Sequence, residues 1–141
     1  MNKMGNTVLK ESNLQTNLTH MELVIDDKKR VFSIQEDFNT FFPFLKLEFF
    51  SKPLHSSGTV ARRLLSHDSR TLEECRTIQN NQGISINPSM TVAELEKNFR
   101  ETYGLGIQVF RKSGKVWLET TLTESWTLEE QNKQGEALSK N

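Results

Sequence analysis

Between residues 84 and 120 the apolar residues change period once, and that change constrains the fold more than any other feature. Val92, Leu95, Phe99 and Tyr103 recur at three- and four-residue steps, the spacing of one helix face. Leu105, Ile107 and Val109 then alternate with Gly106, Gln108 and Phe110, as a half-buried strand requires. Thr91-Val92-Ala93-Glu94 opens the helix as a capping box, with Met90 and Leu95 at the positions of a hydrophobic staple. Gly104 fits the left-handed residue that ends it, with Leu105 folding back on Phe99. Ser113-Gly114 predicts a two-residue hairpin turn, and Val116, Leu118 and Thr120 alternate in the return strand.

A similar plan occurs earlier in the chain. Leu23, Val24 and Ile25 predict a strand that ends in the polar turn at 26–29, with Val31 and Phe32 as a brief return strand. Ser33-Ile34-Gln35-Glu36 reads as a capping box, followed by Ile34, Phe38 and Phe41 on one helix face. Pro43 stops that helix, and Leu45, Leu47 and Phe49 alternate beyond it. Strand 23–25, helix 34–42 and strand 45–50 thus match strand 84–86, helix 92–103 and strand 105–110. Phe38 corresponds to Phe99, and Phe50 to Phe110. A pseudo-repeat and the general likeness of any two βαβ units both fit this match.

The expected fold is α+β: a ferredoxin-like split βαβ sandwich with an extra C-terminal hairpin strand over 115–121. A β-grasp-like arrangement, built on a hairpin at 23–32, is the alternative. Residues 1–20 read as a flexible N-terminal arm and 21–123 as one α+β domain. Residues 124–141 read as a peripheral C-terminal helix and tail. Thr127-Leu128-Glu129-Glu130 caps that helix, but its polar composition and Gly135 predict marginal stability. The segment 51–82 starts as loop and holds another capping box, Thr71-Leu72-Glu73-Glu74, which opens a short helix through Cys75.

Chemistry is sparse. Eighteen basic and eighteen acidic residues cancel, so the basic excess of a general nucleic-acid binder is missing. Arg62, Arg63, Arg70 and Arg76, with Lys52, make one segment locally basic, which reads as a solvated face. The single cysteine permits no intrachain disulfide and fits a reducing compartment. No run approaches the ~20 apolar residues of a membrane span, and the N-terminus lacks a signal peptide's apolar stretch, so a cytoplasmic location is expected. Cys75 and His67 suggest a nucleophile and base, but without an orienting third group or an oxyanion loop. His20, His55 and His67 lack metal-ligand spacing, and no phosphate-binding loop occurs. Glu36-Asp37 and Glu73-Glu74 resemble acid pairs, but Glu36 and Glu74 have capping roles. No catalytic residue, metal or cofactor is assigned.

Phe110 and Trp117 stand out. A Ser113-Gly114 turn sets them opposite each other on the sheet face that Val109 and Leu118 do not use. Either the C-terminal segment covers them, through Trp126 and Leu128, or they form a partner-binding patch together with Phe50. The candidate partner-binding residues are therefore Phe110, Trp117, Phe50 and Trp126. The leading reading is a non-enzymatic module that binds another protein or itself. A small-molecule sensor comes second and a Cys75-dependent enzyme third.

The run MTVAELEKNFRETYGLGIQVFRKSGKVWLETT, continuing through ESWTLEEQNKQG, resembles a family of small conserved uncharacterised proteins from Bacteroidetes. ELVIDDKKRVFSIQEDFNTFFPFLKLEFFSK resembles the N-terminal half of that family, so the likeness covers residues 22–135. It implies a bacterial, cytosolic protein and transfers no site residue.

Overall fold

The computed structural model describes residues 22–52, 63–65 and 69–140; the arm expected over 1–20 lies outside them. In chain order the elements are β1 (Leu23–Ile25), α1 (Val31–Phe41), β2 (Leu45–Phe50), α2 (Leu72–Cys75) and β3 (Ile84–Ile86). They continue with α3 (Val92–Tyr103), β4 (Gly106–Ser113), β5 (Val116–Glu119), a 3-10 turn (Thr121–Thr123) and α4 (Leu128–Ser139). The α+β class holds, and β5 extends the sheet as a hairpin strand on β4.

The strands form two antiparallel sheets instead of the expected one. β1 pairs with β3, while β2, β4 and β5 form a separate three-stranded sheet in the order β2-β4-β5. A ferredoxin-like sandwich interleaves its strands so that the second and fourth do not touch. Here β2 lies directly against β4, with Leu47 opposite Val109 and Phe49 opposite Ile107. That register sets the apolar set of both strands on one face, where a one-residue slip would expose it. The hairpin at 23–32 is also absent, because Val31 and Phe32 form the first turn of α1.

α1 starts three residues earlier than its sequence predicts, at Arg30, which makes no side-chain cap. Tertiary hydrogen bonds override the Ser33 capping box. The Val31 N–H donates to the Arg70 carbonyl at 2.9 Å, and the Leu72 N–H donates to the Lys29 carbonyl at 2.8 Å. The first orphan amide of α1 is thus taken up by the chain leading into α2, and the first amide of α2 by the chain leading into α1. The other three boxes form as predicted, at Thr71, Thr91 and Thr127. Gly104 closes α3 with φ at 69°, and the Leu105 N–H reaches back to the Phe99 carbonyl.

The device at Arg30 recurs in the second half. The Val92 N–H donates to the Trp126 carbonyl, and the Leu128 N–H donates to the Met90 carbonyl. In both halves the second amide of the later helix also reaches back: Glu73 to the Asp27 carbonyl, Glu129 to the Pro88 carbonyl. Thr-Leu-Glu-Glu opens both α2 and α4, and Leu72 and Leu128 are fully buried. Strands that match in sequence also pair with each other, through Val24 with Ser85 and Glu48 with Gln108. The chain thus runs twice through a β-α-β-α order, with β5 added to the second run, and the corresponding strands of the two runs pair antiparallel.

One apolar core joins the halves. Phe49 of β2 meets Phe99 of α3 edge-on at 5.3 Å between ring centres. Ile34 and Phe38 of α1, Leu95 of α3 and the inward residues of both sheets complete it. α4 packs into this assembly instead of lying outside it, through Leu128 and through a buried Gly135 against Phe44 and Arg111. Its amphipathic contacts and its capping box supply the stability that its polar sequence lacks. Thr91→Ala should cost about 1 kcal/mol in chemical denaturation, because the Thr91 hydroxyl accepts from the Glu94 N–H at 3.0 Å.

Candidate functional site

Alternation along β2, β4 and β5 divides the three-stranded sheet into two faces. Leu45, Leu47, Phe49, Ile107 and Val109 point inward and are buried. Lys46, Glu48, Phe50, Phe110, Lys112, Trp117 and Glu119 share the outer face. Three of the four candidate partner-binding residues, Phe110, Trp117 and Phe50, therefore lie on one face, each half-buried.

The hairpin register differs from the expected one by two residues. Gly114 and Lys115 form the loop, Ser113 pairs with Val116, and Trp117 stands opposite Lys112. Phe110 stands opposite Glu119, so the two aromatic rings are diagonal instead of directly paired. A shift of two preserves the face, since side chains alternate with period two. Lys46, the β2 neighbour of Phe110, joins the two rings: its Nζ lies 5.4 Å from the Phe110 ring centre and 5.2 Å from that of Trp117. Lys112, the β4 partner of Trp117, also approaches the indole, with its Nζ 5.9 Å from the ring centre. Each such ammonium–ring contact contributes roughly 0.5–1 kcal/mol at an exposed site. Lys46 escaped the sequence reading because only the pairing of β2 with β4 brings it to Phe110.

Trp126 belongs elsewhere. Its ring stacks 5.5 Å from the guanidinium carbon of Arg111, an inward residue paired with Leu45. Arg111 also donates to Gln131 Oε1 at 2.7 Å, and the fully buried Gln131 donates to the Thr123 carbonyl at 2.7 Å. Trp126 thus helps to clamp α4 to β4 on the face opposite Trp117. The C-terminal helix does not lie over Phe110 and Trp117.

α1 borders the outer face along β2. The Gln35 amide donates to the Leu47 carbonyl and the Asn39 amide to the Leu45 carbonyl, both at 2.8 Å. Between them and the sheet runs a surface groove of about 270 Å³, lined by Phe32, Glu36, Lys46, Glu48 and Trp117. Glu36 lies in this lining without a capping role, and Asp37 pairs with Lys29 at 2.8 Å.

The other candidate chemistry disperses. His20, His55 and His67 lie outside the described residues, as do Arg62 and the loop at 53–58. Cys75 packs against the core from α2. Arg76 is not on a solvated face: it is 5% exposed, and each of its three guanidinium nitrogens donates to an internal partner. Among the described residues no three His, Cys, Asp or Glu side chains converge as a metal requires. No helix among them is long and apolar enough to cross a membrane.

No family model, curated protein or solved structure matches this chain.

One titratable pair is brought together only by the fold. Glu96 of α3 faces Glu124 of the turn before α4. Burial first, then the charge and hydrogen bond of Glu124, push the Glu96 carboxyl up to about 7, against the opposing pull of Arg100. A carboxyl whose folded value lies above its ordinary 4.5 favours the folded state below that pH. This contribution is lost as the pH rises through about 7. Thermal melts should therefore show the wild type losing ground to Glu96→Gln between pH 5 and pH 8, and parallel melting curves would refute the pairing.

Proposed function

We propose that the chain is a non-enzymatic protein-binding module whose binding side is the outer face of the three-stranded sheet. The observation that carries this reading is the Phe110–Lys46–Trp117 stack on a face that α4 leaves uncovered. A half-buried aromatic pair preordered by a lysine loses little conformational freedom on binding, which suits an anchor for a partner. Balanced net charge supports the same reading, since it opposes neither sign of partner. A bacterial cytosol, as the likeness to small proteins from Bacteroidetes implies, is the expected setting.

Capture from native cells with wild-type and Trp117→Ser proteins tests the reading. Loss of bound partners with the melting temperature retained is expected. Unfolding of the variant would make Trp117 a core residue, and an unchanged set of partners would remove it from the binding side.

The groove beside Lys46 supports a second reading, a small-molecule sensor. Its size lies below the roughly 300–1,000 Å³ typical of ligand sites, so only a small ligand fits. Ligand-dependent thermal stabilisation, abolished by Lys46→Ala, is the expected sign.

A further inference from the structure

The two edges of the three-stranded sheet are treated differently. At β2 the outward carbonyls are taken up by the Asn39 and Gln35 amides and by the Leu65 N–H, which donates to the Phe49 carbonyl at 2.8 Å. At β5, no strand among the described residues lies on the outer side. Val116 is 55% exposed, Leu118 43%, and Leu122 beside them 99%. An open edge flanked by exposed apolar side chains is a template for another strand, and natural sheets usually blunt such edges.

Backbone phase limits what can add there. Ser113 pairs with Val116 across the two-residue loop, and the Thr120 N–H donates to the Val109 carbonyl. Alternation in an antiparallel ladder therefore turns the backbone groups of Val116, Leu118 and Thr120 toward β4. Trp117 and Glu119, with Lys115 ahead of them, turn theirs outward. Only these outward residues can exchange hydrogen bonds with an incoming strand.

We propose that the β5 edge is a homodimer interface, in which two copies of Val116–Glu119 pair antiparallel across a two-fold axis at Trp117. Trp117 then faces Trp117 of the second copy on the outer face. Lys115 faces Glu119 of the second copy, twice over, on the same face. Val116 faces Leu118 of the second copy on the other face. Sliding the register by two in either direction preserves the backbone phase but loses both ion pairs. One register thus satisfies hydrogen bonding, charge and apolar contact together, and the two sheets merge into one of six strands. Zero net charge leaves little long-range repulsion between copies. A four-residue strand makes a small interface, so the dimer is concentration-dependent. The proposal rests on the reading of this sheet as the binding side and names a second copy of the chain as a partner.

Sedimentation of the full chain from micromolar to millimolar concentration tests it. The mass should rise from 16.3 kDa toward twice that value. Lys115→Glu and Glu119→Lys should each weaken dimerisation roughly tenfold, because each sets like charges opposite each other at two places. The double variant should recover, since the pairs re-form with signs exchanged. Lys115 and Glu119 are exposed, so all three variants should melt close to the wild type. A monomer at every concentration, single variants that dimerise normally, or a double variant no better than the singles would each overturn the interface. Trp117-dependent capture of a different protein would then leave the module reading standing, whereas its absence as well would end both.

Discussion

Arg76→Ala should destabilise the fold by about 3–5 kcal/mol in urea denaturation, the usual cost of removing one partner from a buried ionic network. The guanidinium donates to Asp27 Oδ2 at 2.9 Å, the Ile78 carbonyl at 2.7 Å, Asn80 Oδ1 at 2.8 Å and the Thr102 carbonyl at 2.8 Å. It also stacks 4.6 Å from the centre of the Tyr103 ring. Three segments meet there: the turn after β1, the chain between α2 and β3, and the end of α3. Alanine leaves the Thr102 carbonyl with the Asn80 amide alone and the part-buried Asp27 carboxylate without its guanidinium partner. Arg76→Lys should recover only part of the loss, since a single ammonium cannot span four acceptors or stack as a plane. Tyr103 reports on the same site. Burial first, then Asp27 and Asp26, push its phenol up to about 12, although the Arg76 charge pulls it back. Without Arg76 the tyrosine should titrate at still higher pH. A loss below about 1 kcal/mol, the worth of an exposed pair, would show that the network is not holding these segments together.

Gly135→Ala should destabilise by about 1–3 kcal/mol, the cost of an overpacked contact, against the ordinary preference of helices. In an exposed helix interior the same change gains nearly 1 kcal/mol. Here a Cβ would sit 2.9 Å from Phe44 Cβ, 3.1 Å from the Phe44 carbonyl oxygen and 3.1 Å from Arg111 Cγ. Neither the Phe44 backbone nor its Cβ is the far end of a flexible side chain, so α4 must withdraw from the sheet. Asn132 Oδ1 accepts from the Phe44 N–H at 2.8 Å, and this bond should weaken with the withdrawal. Gln134, exposed on the same helix, is the control: Gln134→Ala should be neutral. A stabilised Gly135→Ala would mean that α4 packs less closely than described.

Local rules carried the reading of the sequence where local interactions decide. The boxes at Thr71, Thr91 and Thr127, the cap at Gly104 and the period change after Tyr103 each depend on residues within one or two turns. What was not legible depends on distant partners. Ser33 has the right chemistry for a cap, but α1 begins three residues earlier, where the Val31 N–H donates to the distant Arg70 carbonyl. Gly135 looks like a helix breaker until the sheet beneath it is known. The partnership of β2 with β4 joins strands that match in sequence, and the identical Thr-Leu-Glu-Glu runs at 71–74 and 127–130 mark the two helices that reach back to the chain before α1 and α3. Parity alone sets Phe110 and Trp117 on one sheet face, and parity survives a register error of two. Lys46 and the edge at β5 required the sheet order. Trp126 stands on the opposite face, beside Arg111, and composition does not reveal which face a returning helix takes.

Residue-resolved amide exchange at low and high protein concentration tests the binding edge most directly. In dilute solution the Trp117 and Glu119 amides should exchange freely while those of Leu118 and Thr120 stay protected by β4, and concentration should slow the first pair alone. Trp117 and Glu119 amides that exchange at the same rate at both concentrations, while the chain dimerises, would contradict the account.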